Sequence, residues 1–162
     1  MNYNILRENP FFLDNNQMEW VRTTLENMSP EEKIGQLFCM IAFSAEDEYI
    51  KMLTEKYHVG GIMGRPMETK EFCEFVKRAQ TSSKIPVFIS ANIEAGGDGL
   101  VYEGTNVGCN LQIAATNNLE YVKKQADIAA REAIAVGANL AFAPVVDIDK
   151  NFRNPIMNTR TY

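Results

Sequence analysis

The stretch Ile85-Pro86-Val87-Phe88-Ile89-Ser90-Ala91 is an almost unbroken apolar run. Such a run belongs in a sheet covered on both faces, because a half-solvated strand alternates apolar with polar side chains. Upstream of it, residues 69–82 place Phe72, Phe75, Val76 and Ala79 at helical spacing. Before that helix, His58-Val59-Gly60-Gly61-Ile62-Met63-Gly64 reads as another short strand, entered through small residues. Strand, amphipathic helix and strand in this order form one parallel βαβ unit. The pattern extends in both directions. A helix over about 45–57 carries Tyr49, Ile50, Leu53 and Tyr57, and a strand is expected over about 37–41. Ser29-Pro30-Glu31-Glu32 starts the helix before it, with Ser29 as cap, Pro30 at the first helical position and Glu32 as the capping-box acid. Downstream, residues 95–116 read as a long glycine-containing loop. A helix over 118–136 follows, with Val122, Ala126, Ala129, Ala130, Ala133 and Val136 as its stripe. Asn117 with Glu120 resembles its capping box, and Gly137 its stop. A strand at 140–146 and a polar, irregular segment at 147–162 complete the chain.

Four apolar strands alternating with amphipathic helices predict an α/β fold with a parallel sheet. An open doubly wound sheet and a TIM barrel both fit that spacing. A barrel needs eight units and about 250 residues. This chain has 162 residues, four strands and a polar segment directly after the last of them. The expectation is therefore an incomplete (β/α)8 TIM-type barrel, about its first four βα units. Residues 1–28 form a lead-in, with a short helix at about 16–26, and residues 29–162 the N-terminal half of a barrel domain. Open edges at the first and fourth strands would favour self-association.

Composition removes whole classes of function. Sixteen Lys and Arg against 21 Asp and Glu give a net charge of −5, spread along the chain, which argues against nucleic acid as a partner. A single histidine, His58, excludes histidine-rich zinc sites, and it precedes its strand, at the end of the sheet where ligands do not bind. The three cysteines, Cys39, Cys73 and Cys109, form no CxxC pair and read as small buried hydrophobes in a reducing compartment. Gly96-Gly97-Asp98-Gly99 does not spell GxGxxG, and no Walker motif occurs, so no cofactor or metal is expected. An open nucleotide-binding domain keeps only that glycine turn as support. There is no secretory signal, and no stretch approaches the roughly 18 apolar residues of a membrane span. No membrane partner is expected, and the location read from these features is the cytoplasm.

In both candidate architectures ligands sit at the carboxyl ends of the strands. Arg65 follows the second strand, Asn92 and Glu94 the third, Asp147 and Asp149 the fourth, and Arg160 lies one loop later. Carboxylates, a carboxamide and the guanidinium fork offer acceptors and donors suited to sugar hydroxyls. The same residues also suit purely structural work, with Asp147 and Arg160 as a loop-bracing ion pair and Asn92 as a turn cap. Pattern alone leaves both readings open. Phe72, Phe75 and Phe142 read as core.

Several collinear segments resemble the N-terminal domain of glycoside hydrolase family 3. Met28-Ser29-Pro30-Glu31-Glu32-Lys33-Ile34-Gly35-Gln36-Leu37-Phe38 is similar to its opening, and Val59-Gly60-Gly61-Ile62 to the start of its second strand. Ile85-Pro86-Val87-Phe88-Ile89 with Asn92, Glu94 and Gly96-Gly97 resembles its third strand and the acidic, glycine-rich turn behind it. Gly104-Thr105 and Ala114-Ala115-Thr116 resemble the loop that follows. Ala143-Pro144-Val145-Val146-Asp147-Ile148, Asn154-Pro155 and Thr159-Arg160-Thr161-Tyr162 resemble the fourth strand and its arginine loop. The resemblance implies a TIM-like barrel that cleaves β-glucosides or β-N-acetylglucosaminides from the non-reducing end, with retention and without metal. It implies that Asn92 and Arg160 occupy the terminal-sugar subsite, with an amide at Asn92 where the family has an acid. Glu94 keeps a carboxylate beside it, and Asp147 orders the arginine loop. The family's nucleophilic aspartate and its lysine–histidine pair have no counterpart here. The chain is thus expected to carry part of the sugar subsite without the catalytic pair, and to be inactive alone. The alternative is a non-catalytic sugar-binding or half-barrel association module.

Overall fold

The computed structural model describes residues 3–162. After a short 3-10 turn at Tyr3–Arg7, α1 runs Asn15–Asn27, capped by reciprocal bonds between Asp14 and Gln17. None of its residues is buried. The core begins with α2, Pro30–Gly35, whose capping box is the one read from the sequence: Glu32 N–H donates to Ser29 Oγ at 3.1 Å, and Ser29 N–H to Glu32 Oε2 at 2.7 Å. Then come β1 (Cys39–Ile41), α3 (Asp47–Lys51), β2 (Gly61–Met63), α4 (Thr69–Ser82), β3 (Phe88–Ala91), α5 (Asn110–Ala115), α6 (Leu119–Ala135) and β4 (Leu140–Ala141).

The three pairings between these strands are parallel, and the spatial order is β1-β2-β3-β4. A doubly wound sheet reverses its strand order at a switch point. This sheet never does, so its four units wind in one direction, as barrel units do. The register aligns Met40, Ile62 and Ile89 in one row. The adjacent row is Ile41, Met63, Ser90 and Leu140. Successive side chains point to opposite faces. Ile62 and Ile89 are fully buried against Phe72, Phe75 and Ala79 of α4, with Ile50, Leu53 and Leu100 completing the layer. The Phe72 and Phe75 rings meet tilted, 5.6 Å between centroids. Ala129 and Ala133 bring α6 onto the same face.

Several expectations change. The helix read over 45–57 begins at Asp47 and ends in a wide π-type turn, Met52–Lys56, where Thr54 Oγ1 donates to Ile50 O at 3.0 Å. The fourth strand stops at Ala141: Phe142 N–H still donates to Ala91 O at 2.9 Å, but Pro144 has no N–H with which to continue the ladder. The stretch 95–116 is not one loop, since it holds a 3-10 turn at Gly97–Gly99 and all of α5. The cap of α6 is Asn118, whose Oδ1 accepts from Glu120 N–H, while Asn117 is left-handed at φ 49°. Gly137, at φ 90°, ends that helix as expected. Cys39 and Cys73 are exposed and Cys109 is half-buried, so the cysteines are not core hydrophobes. Phe142 is 45% exposed because, among the described residues, no second layer covers its side of the sheet. No helix of the described residues is long and apolar enough to cross a membrane.

Candidate functional site

The carboxyl ends of the strands open onto one rim. Gly64 N–H donates to Ser90 O at 2.9 Å, and this last rung between β2 and β3 sets Arg65 and Asn92 just beyond neighbouring strands. Arg65 is exposed and makes no ion pair among the described residues. It borders a concavity of about 440 Å³ shared with Ala42, Phe43, Ser44, Met67 and Glu71. Asn92 is exposed, and its side chain makes no hydrogen bond among the described residues. Its backbone is fixed by the turn behind it. Gly96 adopts φ 141°, and a Cβ there would lie 2.0 Å from Thr105 O; a Cβ on Gly99 would lie 1.6 Å from Asn92 O. Only glycine fits either place. Glu132 of α6 accepts from Thr105 N–H at 2.9 Å and Thr105 Oγ1 at 2.5 Å, which ties that turn to the helix layer.

The rim's defining feature joins residues 66 apart in sequence. Arg160 Nε donates to Glu94 Oε2 at 2.8 Å, and Nη2 to Oε1 at 2.6 Å. This is a two-pronged guanidinium–carboxylate fork, the strongest common geometry for such a pair. The Glu94 side chain retains 18% exposure and that of Arg160 41%, so the guanidinium is the member that faces solvent. Arg160 Nη1 also reaches Ile156 O at 3.4 Å. Of five guanidinium donors, two remain uncommitted. Glu94 raises the Arg160 pKa above its ordinary value, through the hydrogen bonds first and then through charge, and Asp147 adds to the effect from a distance.

The predicted site residues therefore divide. Glu94 and Arg160 are brought into direct contact. Asp147 is exposed and acts on Arg160 only through its field, so the Asp147–Arg160 ion pair weighed from the sequence is not the pair that forms. Asn92 stands on the same strand-end loop without joining the network. Asp149 accepts from Asn151 N–H at 3.1 Å, a local turn. His58 lies before β2 with φ 51°, its carbonyl held by Gln36 Nε2 at 2.8 Å, away from the rim.

Two supporting residues were not read from the sequence. Gln125, 4% exposed, donates through Nε2 to Glu94 O and to Gly108 O, each at 2.9 Å. Asn110, 1% exposed, donates through Nδ2 to Arg160 O at 2.7 Å. Gln125 lies three residues past Val122 and four before Ala129, so the α6 periodicity carried a signal: a polar residue on the buried stripe. Asn110 sat in a stretch read as loop and had no such signal. Among the described residues, no group of three or more His, Cys, Asp or Glu could hold a metal ion. A larger apolar groove of about 650 Å³, lined by Ile34, Phe38, Met40, Tyr49, Met52 and Tyr57, lies along the free edge of β1.

Comparison with known proteins adds an independent line. Residues 29–162 match the model of the glycosyl hydrolase family 3 N terminal domain. The chain is 48% identical over 153 residues to a β-N-acetylglucosaminidase/β-glucosidase of Cellulomonas fimi, covering 94% of this chain and 27% of that protein. It is 25% identical over 137 residues to a β-hexosaminidase A of Pseudoalteromonas piscicida, covering 76% of this chain and 23% of that protein. Among solved structures, the β-glucoside phosphorylase BglX bound to 2FGlc superposes with TM-score 0.90 at 37% identity, over all of this chain and 30% of that one. A family 3 β-N-acetylglucosaminidase from Paenibacillus sp. str. FPU-7 superposes with TM-score 0.70 at 28% identity, over 83% of this chain and 27% of that one. The chain spans less than a third of the length of each of these relatives.

Proposed function

The chain belongs to glycosyl hydrolase family 3, and from that premise we propose that its strand-end rim is part of the terminal-sugar subsite of an enzyme acting on β-glucosides or β-N-acetylglucosaminides. In this reading residues 1–28 are a lead-in and residues 29–162 the barrel segment. The observation that supports it most is the Glu94–Arg160 fork, which leaves two guanidinium donors directed away from their carboxylate partner at the carboxyl end of a parallel sheet. Sugar hydroxyls are natural acceptors for such donors. Asn92, exposed and uncommitted, supplies an amide beside them. Asp147 orders the arginine loop through its charge.

Retaining cleavage needs a carboxylate nucleophile and an acid/base about 5–5.5 Å away. We assign neither role to a residue of this chain, because Glu94 is committed to Arg160. The 162-residue chain is expected to show no turnover of aryl β-glycosides, whereas a chain extended through the remaining barrel strands is expected to be active. In that extended chain Arg160→Ala should lower kcat/KM by more than tenfold, at least about 1.4 kcal/mol of transition-state stabilisation. An unchanged kcat/KM would remove Arg160 from the subsite. Asn92→Asp should fold and tighten sugar binding by restoring an ionised acceptor, and weaker binding by calorimetry would count against Asn92 as a sugar contact.

The group that receives the sugar is a separate question. The phosphorylase BglX shares its fold with the whole of this chain at 37% identity, so phosphate stands beside water as an acceptor. Product analysis of the extended chain with and without phosphate separates the two, since only phosphorolysis yields a sugar 1-phosphate. A second reading, a half-barrel association module, draws on the uncovered face and free edges of the sheet. Light scattering of the 162-residue chain tests it, and a monomer with well-protected amides would count against it.

A further inference from the structure

We propose that Asn110, with Gln125, is a positioning residue that sets the direction of the Arg160 guanidinium by fixing the backbone beneath it. The hydrogen bonds form a closed ring. Gln125 Nε2 binds Glu94 O and Gly108 O, each at 2.9 Å. Two residues after Gly108, Asn110 Nδ2 binds Arg160 O at 2.7 Å. The Arg160 guanidinium then returns to the Glu94 carboxylate. Two strand-end loops that share no backbone ladder are thus held in one frame by two buried amides.

The state of Asn110 itself points to this role. Its Oδ1 is buried with no hydrogen-bond partner among the described residues. An unsatisfied buried carbonyl oxygen costs free energy that an apolar side chain of the same shape would not. What the amide contributes here is the Nδ2 donor to Arg160 O. The backbone of Arg160 is pinned on its other side as well, by its N–H to Met157 O at 2.7 Å, and the following residue, Thr161, is fully buried. A side chain leaving such a backbone loses less freedom on meeting a ligand, which is the physical content of preorganisation.

The molecule contains its own control. Arg22 makes a comparable fork to Glu19, at 3.0 and 2.6 Å, adds Glu26, and keeps 43% side-chain exposure against 41% for Arg160. It stands on a helix with no buried residue, and among the described residues no side-chain amide donates to its carbonyl. If carboxylate contacts alone ordered an arginine, the two would behave alike.

The test uses the 162-residue chain labelled with nitrogen-15. The two Nε–Hε resonances are assigned through Arg160→Lys and Arg22→Lys, and their proton exchange is measured. Arg160 Hε is expected to exchange at least tenfold more slowly than Arg22 Hε. In Asn110→Ala and in the isosteric Asn110→Asp, which lacks the donor, Arg160 exchange should rise at least fivefold with Arg22 unchanged and the β3 backbone amides still protected. Equal exchange of the two arginines in the unaltered chain overturns the proposal even if both variants fail to fold. So does Arg160 exchange that stays within twofold in the variants, or that rises only together with the β3 amides. The sugar role of Arg160, on which the purpose of this positioning rests, is read separately by kcat/KM of Arg160→Ala in the extended chain. An unchanged kcat/KM there sinks that role and leaves the positioning result standing.

Discussion

The sheet has two faces built from the same strands with the same apolar chemistry, and they end differently. On one, Ile62, Ile89, Phe72 and Phe75 are fully buried. On the other, Ile41 and Leu140 remain 37% exposed and Phe88 56%. Phe88 and Ile89 are neighbours in one strand, so the difference lies in what covers them. The helices supply one cover. In a barrel the inward face is covered by side chains from the other strands, stacked in layers. A continuous apolar strand therefore records a requirement for two covers, while the described residues provide one. The same contrast separates structure from chemistry: the covered face holds the units together, and the polar rim above it holds the Glu94–Arg160 fork.

The most direct way to break this comparison is to truncate one aromatic on each side. Phe72→Ala empties a fully enclosed site and should cost about 3–5 kcal/mol of unfolding free energy. Phe88→Ala removes a half-exposed ring and should cost less than about 1 kcal/mol. Urea titrations of both variants give the two values. Comparable losses would mean that the open face is packed in solution, by a second copy or by rearrangement. The next effect belongs to the rim. Glu94→Gln removes the ionised half of the fork, and its expected cost is about 1 kcal/mol. That is below a fully buried pair because the guanidinium keeps 41% exposure. Asp147→Asn should stay within about 0.3 kcal/mol, since Asp147 touches Arg160 only through its field. Equal effects would return Asp147 to the role of bracing partner.

Much of the covered face was legible in the sequence, and the reason is local. Helix α4 falls on the residues its periodicity marked, and the Ser29 capping box forms with the partners expected of it. Both signals are complete within a few residues. What was not legible depends on distant partners. The strands are shorter than their apolar runs, because hydrogen-bonded pairing ends where a neighbour turns away, as at Pro144. Helix α5 was hidden inside a stretch whose glycines read as loop. Of the candidate site residues, Glu94 and Arg160 were named but not paired with each other, since nothing in a linear pattern relates side chains 66 positions apart. Gln125 could have been found as the polar member of a buried stripe. Cys39 and Phe142 were misplaced by the assumption that apolar residues of an α/β sheet find two covers, whereas Cys73 is exposed on helix α4.

The smallest expected effect lies at the end of the sheet opposite the rim, and it sharpens the comparison by asking how the covered face is tied down there. Lys84 Nζ donates to Glu32 Oε1 at 2.6 Å and joins α2 to the turn before β3. That bond, then the Ser29 N–H, then the Lys84 charge hold the Glu32 carboxyl below its ordinary value. A carboxyl with a lowered folded pKa contributes stability above its unfolded pKa of about 4.3 and loses it as pH falls through the folded value. Glu68 has the opposite sign: its neighbour Glu103 raises it, so its ionisation opposes folding and acid relieves that strain. Lys84→Ala removes the larger cause at Glu32 and leaves Glu68 untouched. The variant should lose slightly less Tm than the unaltered chain between about pH 6 and about pH 3, with the two curves converging at the acid end. A Lys84→Ala curve that runs parallel to the unaltered one throughout would show that this bond contributes no pH-dependent stability, and that α2 is held to the sheet by its apolar contacts alone.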